Sequence, residues 1–175
     1  MEDIRIQIAT QADAQFIALL GRITFTETFE HLFRDKQDLL DYCNTTFSVD
    51  KIEKSLSKAE NVFWIALAEK LPVGYAKLKL NSPSEFNPLP NVSQLQKIYV
   101  LKDFLSRKVG FQLQEEVLKK AKEKGSSAIW LSVLNENSRA IGFYKRNEFA
   151  AIGQHDFQIG KEHFEFTVMS KSLHT

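Results

Sequence analysis

The spacing of apolar residues changes period several times along this chain. Ile4, Ile6 and Ile8 alternate with polar residues, as in a half-buried strand. From Gln11 the period lengthens: Ala14, Phe16, Ile17, Leu20 and Ile23 recur near helical spacing, with Thr10 as the N-cap. Phe25, Phe29, Leu32 and Phe33 continue the pattern, as a second helix or as one bent helix. Further short helices are expected over residues 35–46 and 49–56. Residues 62–68 read as a strand, Glu69-Lys70-Leu71-Pro72 as a turn, and residues 73–80 as the return strand of a hairpin. Three of the four prolines fall within residues 81–91, which read as a long loop. Phe86 and Leu89 in it either cover a site or tuck against the body.

The second half alternates strand and helix. Leu95-Gln96-Lys97-Ile98-Tyr99-Val100 is a strand, and the loop over 101–108 becomes basic at Arg107 and Lys108. A helix follows over 109–124, with Val109, Leu113, Val117 and Ala121 as its buried stripe and Gly125 as its stop. Glu115–Lys119 and Glu116–Lys120 are favourable i,i+4 pairs on its outer face. Residues 128–134 form the next strand, and a last helix opens at Asn137 with Tyr144 in its second turn. Two more strands are expected over 149–157 and 162–169, joined by Ile159-Gly160-Lys161. This order predicts an α/β (α+β) fold: a mixed, mostly antiparallel sheet of about seven strands with helices on both faces.

Composition narrows the partners. The 175 residues predict a single domain over 1–175, and the fourteen Phe belong mostly to its core. A net charge of +1 excludes a broad nucleic-acid surface. The longest apolar run, residues 62–68, is too short to span a bilayer. The start, Met1-Glu2-Asp3-Ile4-Arg5, is acidic and unlike a signal peptide, so the expected location is the cytoplasm, with no membrane partner. Cys43 is alone and reads as core, which excludes a disulfide framework and a cysteine zinc site. His155 and His163 lack metal-ligand partners at useful spacing and read as surface residues, so no metal is expected.

A helix N-terminus presents unpaired N–H groups and partial positive charge. Beside Arg107 and Lys108 it makes a phosphate cradle, although a solvated basic loop would look the same. Tyr144, approaching from the other helix, is a proton donor or simply a core aromatic beside Ile141 and Phe143. Together they suggest a phosphate-bearing cofactor with transfer chemistry at its far end.

The order of elements and two motifs resemble the GNAT superfamily of N-acetyltransferases over nearly the whole chain. Thr24-Phe25-Thr26-Glu27-Thr28-Phe29, Val73-Gly74-Tyr75-Ala76-Lys77-Leu78 and Ile98-Tyr99-Val100-Leu101-Lys102 look like the bacterial spermidine/spermine acetyltransferases of the PaiA type. The family's strand is followed by V-x-P-x-x-[Q/R]-G-x-G-x-[G/A], and Leu105, Ser106, Arg107, Lys108, Val109 and Gly110 align with the part that holds the cofactor pyrophosphate. Only the last glycine is kept: Leu105 replaces the [Q/R] and Lys108 the middle glycine. Lys108 must therefore adopt the glycine's backbone or hold phosphate by charge. The second motif, N-x-x-A-x-x-F-Y-x-x-x-G-F, runs from Asn137 to Phe149 and differs only at Glu148.

The resemblance implies acetyl-CoA as cosubstrate, held by Leu105, Ser106, Arg107, Lys108, Val109, Gly110 and Phe111, with Asn137 touching its arm. It implies that the backbone of Ile98, Tyr99 and Val100 receives the thioester, where the strand splays from its neighbour. It implies further that Tyr144 protonates the departing thiolate, a phenol of pKa ~10 meeting a thiol of pKa about 8–9. Glu27 and Glu30 belong to an arm that lines the acceptor groove in the family; with Asp35, Asp38 and Asp41 they suit a cationic acceptor or a solvated acidic face equally. A small-molecule primary amine, with polyamine favoured, is the expected acceptor. An amino acid, an aminoglycoside or a protein N-terminus remain open, as does a non-catalytic acyl-CoA-binding protein. The general base is not legible: the strand over 94–100 has no carboxylate, leaving His155, Asp156, Glu165 or water. A homodimer is common for such a fold, but the oligomeric state is not legible either.

Overall fold

The computed structural model describes residues 3–173, so Met1 and Glu2 of the acidic start lie outside the described residues. Its sheet contains β1 (Ile4–Ile8), β2 (Asn61–Ala68), β3 (Leu71–Lys79), β4 (Val92–Val100), β5 (Ala128–Leu134), β6 (Ala150–Ile159) and β7 (Glu162–Ser172). Their spatial order is β1-β2-β3-β4-β5-β7-β6. Every neighbouring pair is antiparallel except β4 with β5. The helices are α1 (Ala14–Phe29), α2 (Lys36–Thr46), α3 (Val49–Leu56), α4 (Val109–Glu123) and α5 (Ser138–Arg146). A mixed, mostly antiparallel sheet with helices is thus what the periodicity predicted.

Strand alternation divides the helices between the faces. On β2, Phe63, Ile65 and Leu67 meet Ala14, Ile17 and Leu20 of α1 and Ile52 of α3. Trp64, Ala66 and Ala68 of the same strand meet Leu113, Val117 and Ala121 of α4. The predicted stripe of α4 is fully enclosed. A third cluster joins Phe25 of α1 and Leu39 and Cys43 of α2 to Leu134 of β5 and Phe164 of β7, with Tyr99 of β4 against it. It roofs the middle of the sheet on the α1 face.

Several local details differ from the sequence expectation. The N-terminal arm is one α-helix with a 3-10 turn at each end, Gln11–Asp13 and Glu30–Leu32. β4 starts at Val92, three residues earlier than the apolar run suggested. The proline-rich loop is tied to the body: Trp130 Nε1 donates to the Ser82 carbonyl at 2.8 Å and Asn87 Nδ2 to Ser170 Oγ at 3.2 Å. Phe86 lies against Gly153, where any Cβ would collide with its ring. Much of the acidic cluster also has structural work. Asp38 accepts the Lys161 N–H at 2.9 Å, Asp35 pairs with Lys161 Nζ at 3.0 Å, and Arg34 with Glu162 at 2.6 Å, fastening the β6–β7 turn to the arm.

Candidate active site

The parallel partners β4 and β5 pair at only three positions: Val92 with Ala128, Ser93 with Ile129, and Gln94 with Trp130. Beyond them β5 continues against β7, while β4 continues against β3 as far as Val100. The register between β3 and β4 slips where Lys77 faces Lys97 and Leu78 faces Leu95, so Gln96 is an extra residue on β4. Such a bulge bends its strand, and the sheet opens from there into a wedge. The Leu101 N–H donates to the Val73 carbonyl at 2.9 Å. Successive residues of a strand turn their polar groups to opposite edges, so Tyr99 faces β3 while Ile98 and Val100 face the opening. A Cβ on Gly74 would stand 2.8 Å from the Tyr99 carbonyl oxygen, in keeping with that direction. Of the three predicted backbone donors, two are therefore aimed into the wedge. Tyr99 contributes its half-buried ring to the α1-face roof instead.

Past a 3-10 turn at Lys102–Phe104, the loop enters α4 through Lys108, which has φ 59° and ψ 20°. The non-glycine residue thus takes the left-handed backbone, leaving its side chain exposed. Gln112 N–H is bonded to the Lys108 carbonyl at 3.1 Å. The N–H groups of Val109, Gly110 and Phe111 precede that first helical bond and form the anion-attracting end. Leu105 and Ser106 are exposed on the approach, and Arg107 lies over the Phe104 ring at 5.2 Å. At Gly110 an added Cβ would meet Val100 and Phe143 only at 4.0 Å, which brings the cradle, the end of β4 and α5 together.

Two caps hold α5. Asn137 Oδ1 accepts the Ala140 N–H at 3.2 Å. At the far end Phe149 N–H returns to the Tyr144 carbonyl at 3.0 Å and Glu148 N–H to the Lys145 carbonyl at 3.1 Å. With Glu148 at φ 69° this is a Schellman cap, and its apolar contact is the edge-to-face pair Tyr144–Phe149 at 5.5 Å. The F-Y-x-x-x-G-F pattern is therefore a helix stop that fixes Tyr144. Phe149, expected as the start of a strand, completes this cap, and β6 begins one residue later. Tyr144 is buried, and burial, assisted by Tyr99, pushes its phenol far above the usual range. The phenol is therefore protonated at neutral pH and a weaker acid than a free tyrosine.

At the mouth of the wedge an open pocket of about 310 Å³ lies between the end of α1 and the start of α5, lined by Phe29, His31, Leu134, Glu136, Asn137 and Arg139 among others. Sequence reasoning missed His31 and Glu136, which carry no motif, and Arg139, which stands at an unspecified position of the second one. Glu27 and Glu30 do not line it. Glu27 accepts the Lys102 N–H at 3.2 Å, bracing the loop that leads to the cradle, and Glu30 lies 4.0 Å from Lys36 Nζ. Of the suggested bases, Asp156 and Glu165 are exposed on the β6–β7 hairpin. His155 stacks flat on Phe166 and bonds Ser132 Oγ at 2.9 Å. Cys43 is buried, and burial raises its thiol. Among the described residues no cluster of His, Cys, Asp or Glu could hold a metal ion, and no helix is long and apolar enough to cross a membrane.

Residues 24–149 match the acetyltransferase (GNAT) family. The chain belongs to that family. This N-acetyltransferase is 26% identical over 168 residues to an uncharacterised N-acetyltransferase encoded in the pepI 3' region of Lactobacillus delbrueckii subsp. lactis, covering 96% of each chain. It is 28% identical over 101 residues to a spermidine N(1)-acetyltransferase of Thermoplasma acidophilum, covering 58% of each. Among solved structures it resembles the PaiA N-acetyltransferase of T. acidophilum in complex with coenzyme A, with TM-score 0.76 and 22% identity over 97% of this chain and 99% of that one. The Arabidopsis thaliana NAA60 complex with acetyl-CoA superposes equally well, with TM-score 0.76 and 17% identity over 97% and 98%. These similarities make the protein an acetyl-CoA-dependent GNAT enzyme and establish its fold.

Proposed function

We propose that this enzyme, working in the cytoplasm as one domain, acetylates a primary amine of a small molecule by direct attack on acetyl-CoA, with a polyamine as leading acceptor and Tyr144 as general acid. The observation that carries this is the convergence of Val100, Gly110 and Phe143 at the wedge, beside the edge of β4 that continues past its last pair with β5 at Gln94. The amides of Val109, Gly110 and Phe111, with Arg107 and Lys108, would hold the pyrophosphate, while Leu105 and Ser106 flank it. Asn137 would touch the cofactor arm with its amide nitrogen, since its oxygen caps α5. The N–H groups of Ile98 and Val100 face the opening where a thioester oxygen develops negative charge, and fixed donors there stabilise it. The amine attacks the carbonyl carbon, the C–S bond breaks, and the Tyr144 phenol gives its proton to the thiolate.

A polyamine is favoured by the likeness to the T. acidophilum spermidine N(1)-acetyltransferase and by Glu136 in the mouth pocket. Glu27 and Glu30 would act at longer range, adding negative potential near the entrance. The buried, unpaired Cys43 suits a reducing compartment. Release of free thiol from acetyl-CoA, followed across spermidine, spermine, amino acids and an aminoglycoside, tests the proposal. Saturable turnover with the polyamines is expected. Binding of coenzyme A without turnover of any amine would overturn it in favour of a non-catalytic acyl-CoA-binding protein.

A further inference from the structure

Lys97 stands on the strand that bounds the wedge, and nothing in the chemistry above uses it. It faces Lys77 of β3 as its cross-strand partner, and like charges directly opposite each other in a sheet are destabilising. Among the described residues neither ammonium is paired with a carboxylate. Both lie over aromatic rings instead. Lys97 Nζ is 5.4 Å from the centre of Phe47 and 5.7 Å from that of Tyr99, and Lys77 Nζ is 5.5 Å from that of Phe63. Lys97 follows the Gln96 bulge, beyond the last β4–β5 pair, so it stands where the two strands have begun to part. Its side chain shares the α1 face with Tyr99, and its Nζ reaches forward to the level of that ring. Other titratable groups near it are Tyr42 of α2, Tyr99 and Lys77.

We propose that Lys97 is the proton acceptor for the incoming amine, taking the place of the carboxylate that β4 lacks. This rests on the acetyl-transfer function above. Burial lowers the Lys97 ammonium, against an opposing pull from Tyr42, and lowers Lys77 to about 8 with help from Lys97, Lys79, Lys58 and Lys51. Burial makes the Lys97 ammonium readier than a free lysine to give up its proton, and its place on β4 past the last β5 pair puts that amine on the strand that bounds the wedge. The step balances as follows. The acceptor ammonium gives one proton to Lys97, and the freed nitrogen lone pair forms the C–N bond. Collapse of the tetrahedral adduct breaks C–S, and the thiolate takes the Tyr144 proton. The second proton from the acetylated nitrogen returns to the Tyr144 phenolate, and the Lys97 ammonium releases its proton to solvent.

The test is the pH dependence of kcat with a turned-over amine, for the wild type, Lys97→Met and Lys97→Arg. Both variants should lose about 100-fold or more in kcat and the ascending limb of the profile, while binding coenzyme A as the wild type does. Lys97→Arg keeps the volume and the cation but cannot deprotonate, so it guards against a mere packing defect in Lys97→Met. Lys77→Met should keep the limb, because it removes the facing lysine and leaves Lys97 in place. A Lys97→Arg enzyme with wild-type kcat and limb would overturn the inference, as would a limb that moves with His155→Gln instead. Failure of the acetyl-transfer proposal is distinguishable, because the wild type itself would then turn over no amine.

Discussion

Lys77 is an ordinary surface residue by sequence and a costly one in the fold. Its strand alternates, and the polar positions of an alternating strand normally face water. Here the Lys77 face of β3 is covered instead, with Tyr75 buried two residues away. That is why neither Lys77 nor Lys97 was legible as a special residue. The folded protein holds the Lys77 ammonium at about 8, chiefly through burial and then through Lys97, whereas an unfolded chain holds a lysine at ~10.4. Between those values the unfolded state binds more protons, so stability rises with pH. Below about 8 both states are protonated and the burial cost is fully present. Urea midpoints at pH 7.5 and about 9.5 should therefore rise more in the wild type than in Lys77→Met. Equal increments in the two proteins would show that Lys77 titrates normally. Tyr144 and Asn137 were legible because a motif marked them, and Lys108 because it departed from one. The backbone taken by Lys108 settles how the departure is accommodated: the glycine conformation is kept by a residue with a side chain.

The element that decides the site is α5, only nine residues long and held by its caps. Glu148 occupies the glycine position of its Schellman stop, where a side chain is strained at φ 69°. Its ion pair to Lys171, at 3.3 Å, leaves Glu148 largely exposed and adds little. Glu148→Gly should stabilise the protein by about 1 kcal/mol, which raises Tm by roughly 2–4 °C for a chain of this size. An unchanged or lower Tm would mean that the Lys171 contacts outweigh the strain. Most elements were readable from period and cap residues. The ends were less so, because they depend on bonds between distant segments. β4 starts at Val92 only because Val92, Ser93 and Gln94 find β5. The proline loop read as either a cover or a segment tucked against the body, and Trp130 and Ser170 anchor it to the body. No local pattern announces such partners.

For the whole molecule, the wedge makes the sheet two units, β1 to β4 and β5 to β7, joined at three paired positions and by the aromatic roof on the α1 face. The N-terminus of α4 belongs to the first unit and Tyr144 to the second, so a cofactor bound between them as proposed would bring both into one reaction. Sequence could order these elements and expect the splay from a family resemblance. It could not show the bulge at Gln96 or the pocket at the mouth, which arise from register and from the space left between the end of α1 and the start of α5. The central claim is that the cofactor lies in this wedge and that Tyr144 acts on its sulfur. The most direct test measures thiol release and coenzyme A affinity on the same preparation of Tyr144→Phe. The phenylalanine keeps the ring contacts to Phe143 and Phe149 and removes only the hydroxyl. The predicted result is a fall in kcat of about 100-fold or more, with the Kd for coenzyme A unchanged. Turnover equal to the wild type would contradict the account.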